Sequence, residues 1–390
     1  MNKMSFLDKI SSAIVLKKVF NALDKHKRLK YMNRNKKLRR RLDINVNDYR
    51  LYYENKTPII IEIIPIENHS NPVFTPMDEY KKYITYKIEN GHHIINVAPG
   101  IKTLEDFFYN QKNIEGVVFQ QFLRRDIEDM SDMFSMSTNL KYIDFRSFYS
   151  KNVKDMAGMF FNCSKLLRID NIQNLDTSNV ENMEQMFAKC EMLFSLDLSN
   201  FNTKKCKNIE SMFYKCKSLK NLNISNFDTS LIDNMNYLFQ DCYSIELLDL
   251  RHFNTSKVKY MQYMFDKCKC LSRLNVDNFD TKFVVCMAYM FSNCYSLEEL
   301  NLNSFTSDSL YDAIGMFRKC ISLRRVNIPN MKFTKYIYTT ELFAYCSFLE
   351  YVELEVFDDI PYEDIESIFL FCSNDISENL NIRYPGINLY

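Results

Sequence analysis

Twelve cysteines and five histidines are the residues of this 390-residue chain best suited to chemistry, and their spacing decides what kind. Nine cysteines fall in one column: Cys163, Cys190, Cys216, Cys242, Cys268, Cys294, Cys320, Cys346 and Cys372. Zinc sites draw on close pairs with a second pair or histidines nearby. Cys268 and Cys270 are the only close pair, and no histidine lies near them in sequence. A periodic column reads instead as a small buried side chain repeated in every module. Modules packed as helices ~8–10 Å apart would hold such cysteines too far apart for disulfides, which want Cα atoms ~4.4–6.8 Å apart. His26, His69, His92, His93 and His252 are scattered, and the 6 glycines form no phosphate loop. No Ser/His/Asp or Cys/His arrangement emerges. The chain is therefore read as non-enzymatic, with no catalytic, cofactor-binding or metal residues and no cofactor.

The cysteine column belongs to a larger register. Phe108, Phe134, Phe160, Phe187, Phe213, Phe239, Phe265, Phe291, Phe317, Phe343 and Phe369 recur every 26 residues, with one gap of 27 after Phe160. Eleven units in register mean stacked modules, not a globule with a central pocket. Such an array also escapes the ~250–300-residue limit on a single core.

The unit from Asp176 to Asn200 shows what each module contains. Asp176, Thr177 and Ser178 offer oxygens suited to capping a helix. Val180, Met183, Phe187 and Cys190 follow at steps of 3, 4 and 3, the spacing of one helix face. Leu196-x-Leu198 alternates as a short strand with one face buried. Each unit is thus expected to be helix, link, strand and turn. The expected architecture is α/β, a solenoid of about eleven 26-residue helix-strand units with a parallel sheet. A Met column precedes the anchor Phe, and a Thr column holds Thr177, Thr203, Thr229, Thr255 and Thr281.

Ahead of the solenoid, residues 1–53 read as a basic helical head, with Leu16, Val19, Phe20 and Leu23 at helical spacing. Leu29, Met32, Leu38 and Leu42 suit further short helices. Residues 54–98 read as a small β segment: a strand from Pro58 to Ile66, then a hairpin around Asn90 and Gly91. Residues 99–390 are the solenoid and its end. Residues 1–50 hold 15 Lys+Arg against 4 Asp+Glu, net +11, which leaves 35 against 45 in the remainder, net −10. The run from Lys25 to Arg41 has two readings: a solvated helix face, or a patch for nucleic acid or an anionic membrane. No stacking aromatics accompany it, so nucleic acid is not the expected partner. No secretory signal and no apolar run of membrane-spanning length is visible. The expected location is cytoplasmic, with the cell surface as the alternative.

Binding is expected on the strands. Side chains between the buried leucines point outward. One outward column reads Asp144, Asn171, Asp197, Asn223, Asp249, Asn275, Asn301, Asn327 and Glu353. So uniform a column could also be structural. The preceding column varies: Tyr142, Arg168, Ser195, Asn221, Leu247, Arg273, Glu299, Arg325 and Tyr351. The candidate partner-binding residues are Tyr142, Arg168, Asp197, Leu247, Asp249, Arg273, Glu299, Arg325 and Tyr351. Eleven strands at ~4.8 Å make a face about 50 Å long, ample for a protein partner.

Three segments carry a family resemblance: Asn226-Phe227-Asp228-Thr229-Ser230, Met287 to Cys294, and Leu297-Glu298-Glu299-Leu300-Asn301-Leu302. Together they resemble the BspA-type leucine-rich repeat, over about residues 99–384. The resemblance implies a leucine-rich-repeat fold and protein–protein or adhesive binding. Many members are exported surface proteins, so a BspA-like cell-surface adhesin is the alternative to an adaptor. In the head, Leu16, Val19, Phe20 and Leu23, followed by Leu29, Lys36 and Leu38, resemble an F-box. That resemblance implies docking of a Skp1-like adaptor on Leu16, Val19, Phe20 and Leu23, and a ubiquitin-ligase substrate receptor. A plain helical cap is the other reading of the same residues.

Overall fold

The computed structural model describes residues 13–23, 36–42, 54–67, 73–358 and 362–373. It is a solenoid of short parallel strands, as the period implies. Two helices precede it, α1 (Ala13–Ala22) and α2 (Lys36–Leu42). Leu16, Phe20, Leu38 and Leu42 are all buried. Leu29 and Met32 lie outside the described residues.

The β segment closes the start of the coil stack. β1 (Ile59–Pro65) pairs antiparallel with β3 (His92–Val97) on one side and β4 (Ile114–Gln121) on the other. β2 (Ile84–Glu89) joins β3 through a two-residue turn, with Asn90 at φ 51° and Gly91 at φ 81°. Both residues are of types that tolerate positive φ, which an Asn-Gly hairpin turn requires. β4 then begins the parallel ladder with β5 (Tyr142–Asp144) and β6 (Arg168–Asp170). The antiparallel strands therefore cover what would be an open sheet edge. Arg125 ties the entry of this segment to the first coils. Its amide donates to Asn55 Oδ1 at 2.9 Å, and its guanidinium lies 4.3 Å from the centre of the Tyr149 ring.

The later coils each contribute a three-residue strand: β7 (Ser195–Asp197), β8 (Asn221–Asn223), β9 (Leu247–Asp249), β10 (Arg273–Asn275) and β11 (Glu299–Asn301). β12 (Arg325–Thr334) and β13 (Tyr351–Asp358) are longer, and α3 (Tyr362–Ile368) follows. Registers advance by 26 residues, for instance Arg273 beside Leu247 and Glu299 beside Arg325. The anchor phenylalanines stack one above another throughout, with centroids 4.9–5.9 Å apart and planes within 3–16° of parallel. One buried apolar cluster runs unbroken from Ile59 to Phe369.

Except in the last unit, where α3 occupies it, the segment expected to be helical in each unit is not an α-helix. It is a chain of three-residue turns: the amides of Val180, Met186, Cys190 and Leu193 donate to Thr177, Met183, Phe187 and Cys190 carbonyls. The intervening amides look outward along the solenoid axis. Met183, Gln185, Phe187 and Lys189 donate to Asn208, Glu210, Met212 and Tyr214 of the next coil. A parallel ladder thus replaces the i→i−4 bonds of a helix. To alternate in this way the backbone enters the left-handed region two residues before and after each anchor from Phe108 to Phe343, as at Gln185 (φ 52°) and Lys189 (φ 61°). Winding at three residues per turn buries nearly the same positions as a helix, so the apolar spacing alone suits both.

The side chains reinforce the ladder. Each hydroxyl of the Thr column donates to a carbonyl 25 residues ahead and accepts the amide of that same residue. Thr229 does so with Asn254 at 3.0 and 2.8 Å. Ser150 and Ser307 extend the column at either end.

Candidate functional site

The strand is where the coil presents side chains that its own packing does not use. Its middle residue points inward: Ile143, Leu196, Leu248, Leu300 and Val326 are at most 3 % exposed. The flanking residues point out, because successive Cβ atoms alternate across a strand. The two outward columns differ in what they do.

The later column mainly secures turns. Asp197, Asn223, Asp249, Asn275 and Asn301 each place Oδ1 within 3.0–3.3 Å of the amide two residues on, at Ser199, Ser225, Arg251, Asp277 and Asn303. These are Asx turns, which explains why Asp and Asn fill these five positions of the column. Asp197 and Asp249, both expected to meet a partner, already hold a turn. Arg251 also grips Asp249, with Nη2 2.6 Å from Oδ2, and holds its carboxyl down at about 2. The register of this column needs one correction. Asp144 lies beside Asp170, not Asn171. Asn171 is the extra residue of the 27-residue unit. It takes φ 57° and donates from Nδ2 to Asp144 Oδ1 at 2.8 Å.

The variable column is solvent-facing. Arg168, Leu247, Arg273, Glu299, Arg325 and Tyr351 are exposed, and Tyr142 is half-buried. At the N-terminal end this column is engaged with itself. The Arg168 guanidinium lies 4.8 Å from the Tyr142 ring centre, and its Nε is 2.9 Å from Asp170. Gly116 makes room for that ring: a Cβ there would come within 2.3 Å of Tyr142 Cζ. Toward the C-terminus the column opens into three shallow grooves. One of about 650 Å³ includes Leu222, Leu247, Asp249, Arg251 and His252. A second of about 610 Å³ spans Leu247, Arg273, Glu298 and Glu299, and a third of about 480 Å³ spans Glu299, Arg325, Glu350 and Tyr351.

The four N-terminal candidates lie elsewhere. Leu16 and Phe20 are buried, and Val19 and Leu23 are half-buried. Two exposed apolar residues on the rim were not singled out by sequence. Leu167 and Phe194 are 45 % and 53 % exposed, one residue before the strand. The signal was present, because Glu115, Lys141, Lys220 and Glu246 hold the same position in other coils.

The cysteine column stands closer than the helical reading implied, since laddered coils lie ~4.8 Å apart. All are free thiols. Each Sγ–H donates to the anchor carbonyl of the preceding coil, as Cys216 does to Phe187 at 3.1 Å. Burial pushes the Cys216 and Cys320 thiols up to about 12. Among the described residues no group of three or more His, Cys, Asp or Glu could hold a metal ion. Nor is any described helix long and apolar enough to cross a membrane.

Comparison with known proteins agrees with a repeat array. No curated protein matches the chain. Among solved structures it is similar to a chain of the Drosophila Toll–Spatzle complex, at 12 % identity and TM-score 0.26, covering 64 % of this chain and 37 % of that one. It is also similar to a Leptospira interrogans LRR protein at 14 % identity and TM-score 0.19, covering 66 % and 91 %. A TLR13–ssRNA13 complex matches at 13 % identity and TM-score 0.18, covering 71 % and 47 %. The chain thus spans 37 % of the first of these chains and 47 % of the third, less than half of either. One family model matches four times in overlapping frames, over residues 102–222, 128–248, 191–273 and 234–355, as expected when a repeat slides along its own copies. These frames together cover more than half of the sequence, and the chain belongs to the family described as Mycoplasma protein of unknown function, DUF285.

Proposed function

We propose that this chain is a non-enzymatic interaction scaffold, an adaptor that holds a protein partner on the strand face of its solenoid. One observation carries the reading. The buried Phe, Met, Cys and Thr columns of the coil repeat their residue type because they pack on or bond to their copies. The exposed column from Tyr142 to Tyr351 changes from coil to coil instead. Side chains relieved of packing duty on a regular scaffold are free to be set by a partner. The Skp1-like form of the reading has less behind it, because Leu16 and Phe20 are closed within the chain.

The test compares proteins captured by the wild-type chain with those captured by an Arg273→Glu, Arg325→Glu chain of unchanged melting temperature. Partners recovered by wild type should be lost or strongly depleted. Equal recovery of every partner overturns the reading.

A further inference from the structure

Along the rim of the strand face, charges neutralise each other between coils. Lys141 pairs with Glu115, Lys220 with Glu246 and Arg324 with Glu350. One residue further on, the pattern breaks. Arg273, Glu299 and Arg325 are exposed, stand on successive coils, and make no ion pair among the described residues. Leu247, 61 % exposed, precedes them in the row, and Tyr351, 44 % exposed, follows. The two grooves that share Glu299 make this row a single trough. The row therefore offers apolar, positive, negative, positive, apolar, in that order, with its charges unspent.

Spacing selects the shape of what fits. The row crosses the β9–β10 pair and the separate β11–β12–β13 sheet, and at the ~4.8 Å spacing of paired strands five residues on five successive coils span about 19 Å. An α-helix lying along the solenoid axis presents one stripe residue per turn of ~5.4 Å, about 22 Å over the same four steps. An extended peptide presents same-side residues every ~6.7 Å, about 27 Å over four steps. The helix drifts from the row by less than one strand spacing, whereas the extended chain drifts by more than one.

Resting on the strand-face reading, we propose that the row from Leu247 to Tyr351 receives an amphipathic α-helix of the partner. The facing stripe of that helix reads apolar, acidic, basic, acidic, apolar. Opposite charges then meet at Arg273, Glu299 and Arg325, which fixes the register of the helix on the row.

Three fluorescein-labelled peptides on an alanine–glutamine background test this against the full chain by anisotropy. The first carries Leu, Glu, Lys, Glu and Leu at helical positions i, i+4, i+7, i+11 and i+14. The second inverts the three charges, and the third places the matched residues at alternate positions. The matched helix should bind at least tenfold more tightly than either of the others. The chain carrying Arg273→Glu, Glu299→Lys and Arg325→Glu should prefer the inverted helix, a gain that misfolding cannot imitate. Equal binding of the three peptides, or best binding by the alternate-position peptide, overturns the proposal, as does a preference unchanged by the triple reversal. If the reversed chain still loses its captured partner while the matched helix fails to bind, the helix proposal fails and the strand-face reading stands. If capture is also unchanged, both fail.

Discussion

Phe187 and Phe213 lie face to face one coil apart, ring centroids 5.9 Å from each other and planes 3° from parallel. Both rings are fully buried, and each is sandwiched between the copies before and after it. Cutting Phe213 to alanine opens a void that two neighbouring coils share and neither can close, because both are held by the amide ladder. Phe213→Ala is expected to cost about 3–5 kcal/mol, and Phe213→Leu distinctly less. Urea unfolding followed by circular dichroism measures both. A cost under ~1 kcal/mol for alanine would show that the ring column does not bind the coils together.

Thr229 is fixed by a different bond to its neighbour. Its hydroxyl serves both the carbonyl and the amide of Asn254, at 2.8–3.0 Å, and the residue is only 2 % exposed. Valine keeps the shape and removes both bonds, leaving two backbone groups with poorer partners. Thr229→Val should therefore destabilise by about 1–3 kcal/mol. Thr229→Ser should cost less, since serine already stands in this column at Ser150 and Ser307. Equal melting temperatures for wild type and Thr229→Val would refute the bonding role.

Asp249 gives a pH dependence of known sign. Hydrogen bonds from the Arg251 side chain lower its carboxyl to about 2, against ~3.9 in an unfolded chain. A depressed acid favours the folded turn above ~pH 4, and that contribution disappears as the pH falls from about 4 through 2. Carboxyl carbon-13 titration should find Asp249 still ionised at pH 3. In Arg251→Ala it should titrate near the ordinary aspartate value. An ordinary titration in the wild-type chain would contradict the geometry.

Thiol labelling should separate the cysteines sharply. Cys270 is exposed, whereas eight of the nine column cysteines are buried and Cys372 is intermediate. A thiol-exchange reagent at pH 8 should consume one thiol rapidly in the folded chain. Cys270→Ser should remove that phase, and the buried column should react only on unfolding. Rapid loss of many thiols under native conditions would mean that the column is not sealed.

The 26-residue period by itself determines a stacked array, its buried Phe, Met, Cys and Leu columns and the outward set on each strand. Those conclusions need only the rule that copies in register meet each other. The hairpin at Asn90 and Gly91 was equally legible, because its turn chemistry is local. The form of the arc from Val180 to Cys190 was not. Apolar residues three and four apart satisfy a helix and a run of three-residue turns alike. What separates them is where the Phe187 amide finds its acceptor, and that carbonyl, on Met212, lies 25 residues away. The roles of Asp197 and Arg273 were hidden for a similar reason. Both residues point outward from a strand, but only the folded chain shows one carboxylate closing a turn and the other side chain standing without an ionic partner. Backbone groups must all be paired in the interior, and the choice of partner is a property of neighbouring coils, not of any single stretch of sequence.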